Sequence, residues 1–271
     1  MTAAVSEAPC AGDHALVLDY NHNRSFADLV NGLIDAGLEA GDRLVPPRTY
    51  LGGSRLGHSC ERALQFEYAQ APKDEGGGHD GRTLRNFAIG HALEDLAAGW
   101  LRAAGFDLYT CRGGRPGGGQ FGFSVAGGRI RGHVDGILAD GPKLPGLAYP
   151  ALWECKTMNA RSWKETAQKG VVISKPVYAA QLAVYQAYME GSVAGISANP
   201  ALFTAINKDT AELHHELVPF DGGLAQRMSD RAVRILQATE ASQLLPRLAA
   251  NPDHHECRRC AWSQRCWSLP A

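Results

Sequence analysis

Two short strings carry side chains that could do chemistry together: GHVDGIL at 132–138 and WECKTMN at 153–159. Side chains alternate faces along a strand, so Glu154 and Lys156 point one way and Cys155 the other. A hairpin centred on 140–149 sets Asp135 opposite Glu154 and gathers two carboxylates and one lysine on a single patch of sheet. Two carboxylates with a backbone carbonyl make an all-oxygen site suited to Mg2+ or Mn2+. Such an ion lowers the pKa of a bound water and offsets charge on a phosphate and its leaving oxygen. The lysine would orient or deprotonate the attacking water, or offset charge in the transition state. Alone, these three residues are also what a solvated hairpin face carries. Their neighbours Val134, Ile137, Leu138, Leu152 and Trp153 are apolar, however, and charge in such a run is costly unless paired or metal-bound.

Other residues are spaced to join them. His91 and Glu94, three apart on a predicted helix, are further candidate ligands, although a buried histidine is more often structural. Tyr178, Gln181 and Tyr185 fall on one helical face at i, i+3 and i+7. Aromatic spacing of this kind usually means core packing, and the interposed glutamine is what suggests a substrate-facing role. Lys156, Arg161, Lys164, Lys169 and Lys175 form a basic strip against one acid, Glu165. That strip suits phosphate contacts, and it suits a solvated helix face.

The elements that must position these residues follow from periodicity. A short helix is expected around Phe26–Ala36, and Leu56, Cys60, Leu64 and Tyr68 recur at helical spacing. GGGHDG at 76–81 reads as a loop. Arg82–Ala104 has two apolar stripes, one of Ile89, Leu93, Leu96 and Trp100 and one of Leu84, Phe87, Ala98 and Leu101, which predicts a helix packed on both sides. Strands are expected at Leu108–Arg112, Gln120–Val125, Arg129–Leu138, Ala151–Thr157, Ala201–Asn207 and Leu213–Phe220, with turns at 113–119 and 140–146. Helices are expected at Ser162–Lys169, at Pro176–Glu190 with Ser174 as its cap, and at Gly222–Glu240. The order is that of a mixed α/β core with helices on both faces of a sheet.

Seven cysteines without a disulfide framework point to metal or catalytic chemistry. Cys257, Cys260 and Cys266, spaced C-x2-C-x5-C, supply three soft ligands, and a fourth is needed. His254 or His255 would complete a local zinc site and leave Cys60 a bystander; four thiolates would suit structural Zn2+ or an iron–sulfur cluster.

Taken in order, Cys60, GH at 90–91, VD at 134–135, ECK at 154–156, QxxxY at 181–185 and the tail cysteines resemble the RecB-like iron–sulfur exonuclease branch of the PD-(D/E)xK superfamily. That branch includes the CRISPR-associated adaptation nuclease and the AddB nuclease domain. The resemblance covers roughly residues 50–271. It implies a restriction-endonuclease-like core, a mixed central sheet flanked by helices, with a C-terminal cysteine clasp. It also implies that His91, Asp135, Glu154 and the Cys155 carbonyl bind Mg2+ or Mn2+, that Lys156 is the catalytic lysine, and that Gln181 and Tyr185 belong to the substrate-side motif. Cys60 is implied to join Cys257, Cys260 and Cys266 around a 4Fe–4S cluster. Val134 stands where the superfamily's proline would be.

The expected organisation is an N-terminal extension, 1–50, of no assigned role and a nuclease domain, 51–271. The expected activity is hydrolysis of DNA, exonucleolytic on single strands or ends; the competing expectation is a metal-clasped DNA-binding or assembly module that has lost catalysis. A net charge of −1 argues against a wholly basic nucleic-acid coat protein but permits a local basic strip. No apolar run is long enough to span a bilayer, and the first residues lack the pattern of a secretion signal, so a cytoplasmic protein without membrane partners is expected.

Overall fold

The computed structural model describes residues 25–112 and 119–270. The turn expected at 113–119 lies, but for Gly119, outside the described residues, as do 1–24 with Cys10. In chain order the first elements are α1 (Phe26–Leu44), β1 (Leu51–Gly52), α2 (Glu61–Tyr68), α3 (Gly81–Ala103), β2 (Asp107–Tyr109), β3 (Gly122–Val125), β4 (Ile130–His133) and β5 (Gly136–Asp140). There follow β6 (Ala151–Met158), α4 (Ala160–Lys169), α5 (Val171–Ser174), α6 (Pro176–Met189), β7 (Ala201–Asn207), β8 (Leu213–Val218), α7 (Gly222–Glu240) and α8 (Ser263–Ser268).

The main sheet has the order β2-β5-β6-β7-β8, with β6 and β7 parallel and the other pairs antiparallel. A smaller sheet runs β1-β4-β3. The β5–β6 register pairs Gly136 with Trp153 and Leu138 with Ala151, the register that the hairpin reading expects. The single strand expected over Arg129–Leu138 is two strands in two sheets. The break falls at Val134 and Asp135: Val134 donates its N–H to Phe121 O at 3.0 Å, on the small-sheet side, and the chain then crosses into the main sheet.

Central strand β6 is buried from Ala151 to Cys155. On one face Leu152 and Phe203 meet Leu182, Val184 and Tyr185 of α6 and Ile235 and Leu236 of α7. On the other, Trp153, Cys155 and Leu202 meet Ala97, Ala98 and Leu101 of α3. Helices therefore cover both faces, as the element order predicts. Burying one such large apolar side chain is worth about 1.5–3 kcal/mol, so β6 is well anchored on both sides.

Four local expectations need correction. Helix α3 is not packed on both sides: Ile89, Leu96 and Trp100 of one stripe are all more than two-fifths exposed, as is Phe87 at the N-terminal end of the other. The sheet accepts one stripe, built on small alanines, and the other faces outward. Helix α2 begins after Cys60, which is its N-cap and accepts the Ala63 N–H through Sγ at 3.4 Å, so Leu56 lies outside it. The N-cap of α6 is Lys175 and not Ser174, whose hydroxyl donates back to Gly170 O at 2.7 Å. Helix α1 runs beyond the expected Ala36, started by a capping box between Ser25 and Asp28, and buries none of its residues. It is held to α3 by an Asp35–Arg85 ion pair and by Glu39, which accepts the Gly81 N–H at 3.0 Å. Among the described residues no helix is long and apolar enough to cross a membrane.

Candidate active site

Pleating puts Glu154 and Lys156 on the α6 face of β6, and the break before β5 brings Asp135 to the same place. Asp135 Oδ2 accepts the Cys155 N–H at 2.8 Å and lies 3.7 Å from Lys156 Nζ. Lys156 Nζ donates to Glu154 Oε1 and, at 3.2 Å, to the Cys155 carbonyl. Glu154 is fully buried; Gln181 Nε2 also donates to its Oε1, while its Oε2 has no hydrogen-bond partner among the described residues. A buried carboxylate oxygen left without a donor costs about 1–3 kcal/mol or more unless something cationic reaches it.

The electrostatics follow from that crowding. Burial, then the Asp135 charge, pushes the Glu154 carboxyl up to about 8. Glu94, one helix away on α3, is pushed up to about 7 by the same two causes in the same order. Burial opposes the Lys156 charge, but Asp135 and Glu154 outweigh it and hold the ammonium well above its usual range. Burial raises the Cys155 thiol, which packs into the α3 side of the sheet and takes no part. Lys156 Nζ also lies over the Tyr178 ring, 5.6 Å from its centroid.

Residues 52–267 match the sequence model of the PD-(D/E)XK nuclease superfamily. The chain belongs to that superfamily. Its mixed sheet flanked by helices is the restriction-endonuclease-like arrangement. Among solved structures, the crystal structure of SSO0001 is 16% identical, with 90% of this chain and 98% of that one covered and a TM-score of 0.47. An alkaline exonuclease from Laribacter hongkongensis is 14% identical, with 76% and 93% covered and a TM-score of 0.48. Its complex with dAMP is likewise 14% identical, with 78% and 93% covered and a TM-score of 0.47. No curated protein matches the chain.

Of the site residues expected from the sequence, Asp135, Glu154, Lys156 and Gln181 are brought together. Tyr185 lies behind them, in the core and not on an open face. It meets Phe123 edge-on at 5.4 Å, and its hydroxyl pairs with Ser54. Gly132 makes room for both rings, since a Cβ there would come within 2.5 Å of Phe123 and 2.9 Å of Tyr185. His91 is on the exposed face of α3, at the wall of a cleft of about 1420 Å³. Glu94, a lesser candidate by sequence, is coupled to Asp135; its signal is its i+3 spacing from His91. The contacts of Tyr178 and Ser54 had no signal in the sequence.

Cys60, Cys257, Cys260 and Cys266 open onto the same cleft. Burial first, then the neighbouring cysteines, raises the Cys257 and Cys260 thiols. Among the described residues, no three His, Cys, Asp or Glu side chains are drawn into one coordination sphere. The surroundings nonetheless suit sulfur anions. Arg62 Nη1 donates to Cys266 Sγ at 3.8 Å, and Arg62 Nη2 is a buried donor without an acceptor among the described residues. Hydrogen bonds also tie the tail to α2. Arg62 donates to Leu245 O and to Pro270 O at 3.0 Å, Gln65 Nε2 donates to Gln243 O at 2.6 Å, and Trp262 Nε1 donates to Ala71 O at 2.9 Å.

Proposed function

We propose that this superfamily member is a Mg2+- or Mn2+-dependent deoxyribonuclease, acting as an exonuclease on single-stranded DNA or DNA ends, with a 4Fe–4S cluster on Cys60, Cys257, Cys260 and Cys266. The observation that carries the reading is the unpartnered, fully buried Glu154 Oε2 beside Asp135. Two carboxylates and the Cys155 carbonyl suit an ion that keeps much of its water. Asp135, Glu154 and that carbonyl would hold it, with His91 as the ligand from α3. When bound, the ion supplies positive charge to the phosphate and acidifies an attacking water.

The protein's own residues do the rest. Gln181 fixes Glu154 from below through Oε1, leaving Oε2 for the ion. Asp135 is fixed by the Cys155 N–H. Lys156 keeps its proton beside the two carboxylates, so Nζ acts as a charged donor: it orients the water by hydrogen bonding and offsets negative charge as the phosphate is attacked. Tyr185 and Phe123 close the back of the site against water. Structural Zn2+ is the competing occupant of the four cysteines.

Labelled single-stranded, duplex and flapped DNA, incubated with Mg2+, Mn2+ or chelator, test the reading directly. Cleavage with either metal and none with chelator supports it. A protein that cuts none of them is a binding or assembly module. Iron content and the visible spectrum of the protein purified without oxygen test the cluster separately, and a colourless protein carrying zinc sinks it.

A further inference from the structure

The stripe of α3 that sets Ala98 and Leu101 against the sheet runs on past the active site toward the N-terminal end of the helix. Phe87, His91 and Glu94 are spaced i, i+4 and i+7, one face of the helix. Glu94 interacts with Asp135 and Lys156, while Phe87 and His91 line the large cleft. Phe87 is 48% exposed, and the His79 ring stands edge-on to it, with centroids 5.1 Å apart and planes at 79°.

The backbone on either side of His79 is anchored. His79 immediately precedes the α3 N-cap Asp80, whose carboxylate accepts the Thr83 N–H at 2.7 Å. The loop before it is pinned to the clasp, since Asp74 donates its N–H to Ala261 O at 2.8 Å and accepts from Gln264 N at 2.7 Å.

The charges in the cleft are unequally committed. Arg48, Lys73, Arg258 and Arg259 line it, are exposed, and have no ion-pair partner among the described residues. Of its acids, Glu67 is paired with Arg55 at 3.1 Å, Asp74 caps backbone N–H groups, Glu256 faces His58 at 3.9 Å and His255 at 3.7 Å, and Asp42 and Glu75 have no ion-pair partner among the described residues. Four open cations against two open acids leave a cationic surplus.

An exposed aromatic face, open cations and a helix stripe leading to paired carboxylates together describe a groove for unpaired nucleic acid, where cations follow the backbone and rings stack on bases. In a duplex both faces of a base are already stacked, so the platform has nothing to bind. We propose that Phe87, braced by His79, stacks on an unpaired base of the strand lying in this cleft and so positions its phosphates toward Asp135 and Glu154. This rests on the nuclease reading and makes Phe87 the residue by which the protein tells a single strand from a duplex.

The test is binding of fluorescein-labelled oligo(dT) and of a blunt duplex of equal length, with Ca2+ in place of Mg2+ so that binding is read apart from cleavage. Loss of one stacked base corresponds to roughly tenfold weaker binding. Phe87→Ala should weaken oligo(dT) binding about that much, leave duplex binding and the salt slope unchanged, and be rescued by Phe87→Trp. Phe87 is exposed enough for the alanine variant to fold, which its thermal melt checks. Equal binding by Phe87→Ala, equal loss on both DNAs, or no rescue by tryptophan overturns the proposal while leaving a wild type that cleaves DNA a nuclease. A wild type that neither binds nor cleaves DNA overturns the nuclease reading, and this inference with it.

Discussion

Asp135 Oδ2 accepts the backbone N–H of Cys155 at 2.8 Å, so the carboxylate offered to a metal also closes the hairpin between β5 and β6. One side chain thus serves two ends, and two substitutions separate them. Asn at this position can still accept that N–H; Ala cannot. Both Asp135→Asn and Asp135→Ala should cut cleavage at least about a hundredfold, since each 1.36 kcal/mol or so of barrier is tenfold. Only Asp135→Ala should lower stability, by about 1–2 kcal/mol, because it strands a backbone donor. Cleavage rates and denaturant unfolding in chelator check this; equal destabilisation by both variants would refute the double role.

Glu154 and Glu94 make the metal-free protein pH-sensitive. Burial and Asp135 raise both above their ordinary value of 4.5, to about 8 and about 7. The folded chain therefore holds more protons than the unfolded chain across that window, and stability falls as pH rises from 4.5 through 8. Metal binding needs the carboxylates ionised, so Mg2+ affinity should rise over the same range. Melting in chelator should show the loss in the wild type and a much flatter profile in Glu154→Gln. A wild type that grows more stable across this window contradicts the assignment.

The basic strip is not uniform. Lys169 and Lys175 both reach Glu165, at 3.0 and 3.5 Å, whereas Arg161 and Lys164 are exposed with no acid partner among the described residues. Arg161→Ala and Lys164→Ala should each flatten the plot of log affinity for DNA against log salt by about one unit. Lys169→Ala should flatten it less, since its charge is already half-engaged. Slopes unchanged from the wild type in all three variants would make the strip ordinary solvated surface.

Cys60 caps α2 while facing the tail cysteines, so its loss should be felt in two ways. Cys60→Ser should release the metal and iron-dependent colour and lower the melting temperature of the whole domain. Cys111→Ser, on the bridge to Gln120, should do neither. Retention of metal by Cys60→Ser, with loss when His254 and His255 are replaced, would favour a local zinc site.

The parts of the fold legible in the sequence were those set by period and midpoint. Alternation along 151–158 put Glu154 and Lys156 on one face, and the centre of the 140–149 loop gave the register that pairs Gly136 with Trp153. What periodicity cannot show is how many partners surround an element. The two apolar stripes of α3 are real, but one has no neighbour among the described residues to bury it. Nor does a run of β-formers from 129 to 138 announce that its two halves belong to different sheets; only the hydrogen bond from Val134 to Phe121 marks the joint. Asp135, Glu154, Lys156 and Gln181 were found by residue type and order, whereas the coupling of Glu94 to Asp135 depends on how α3 leans on β6, which no local signal encodes.

The bonds between α2 and the tail also impose an order on synthesis. Arg62 and Gln65 leave the ribosome about 180 residues before Gln243 and Leu245, the carbonyls that receive them, which at roughly 5–20 residues per second is some ten to forty seconds. During that interval a guanidinium destined for complete burial has no protein acceptor and must stay in water. Helix α2 therefore cannot dock early: the nascent chain can assemble its sheet, but it must wait for the last of the chain to close around its first helix of the core.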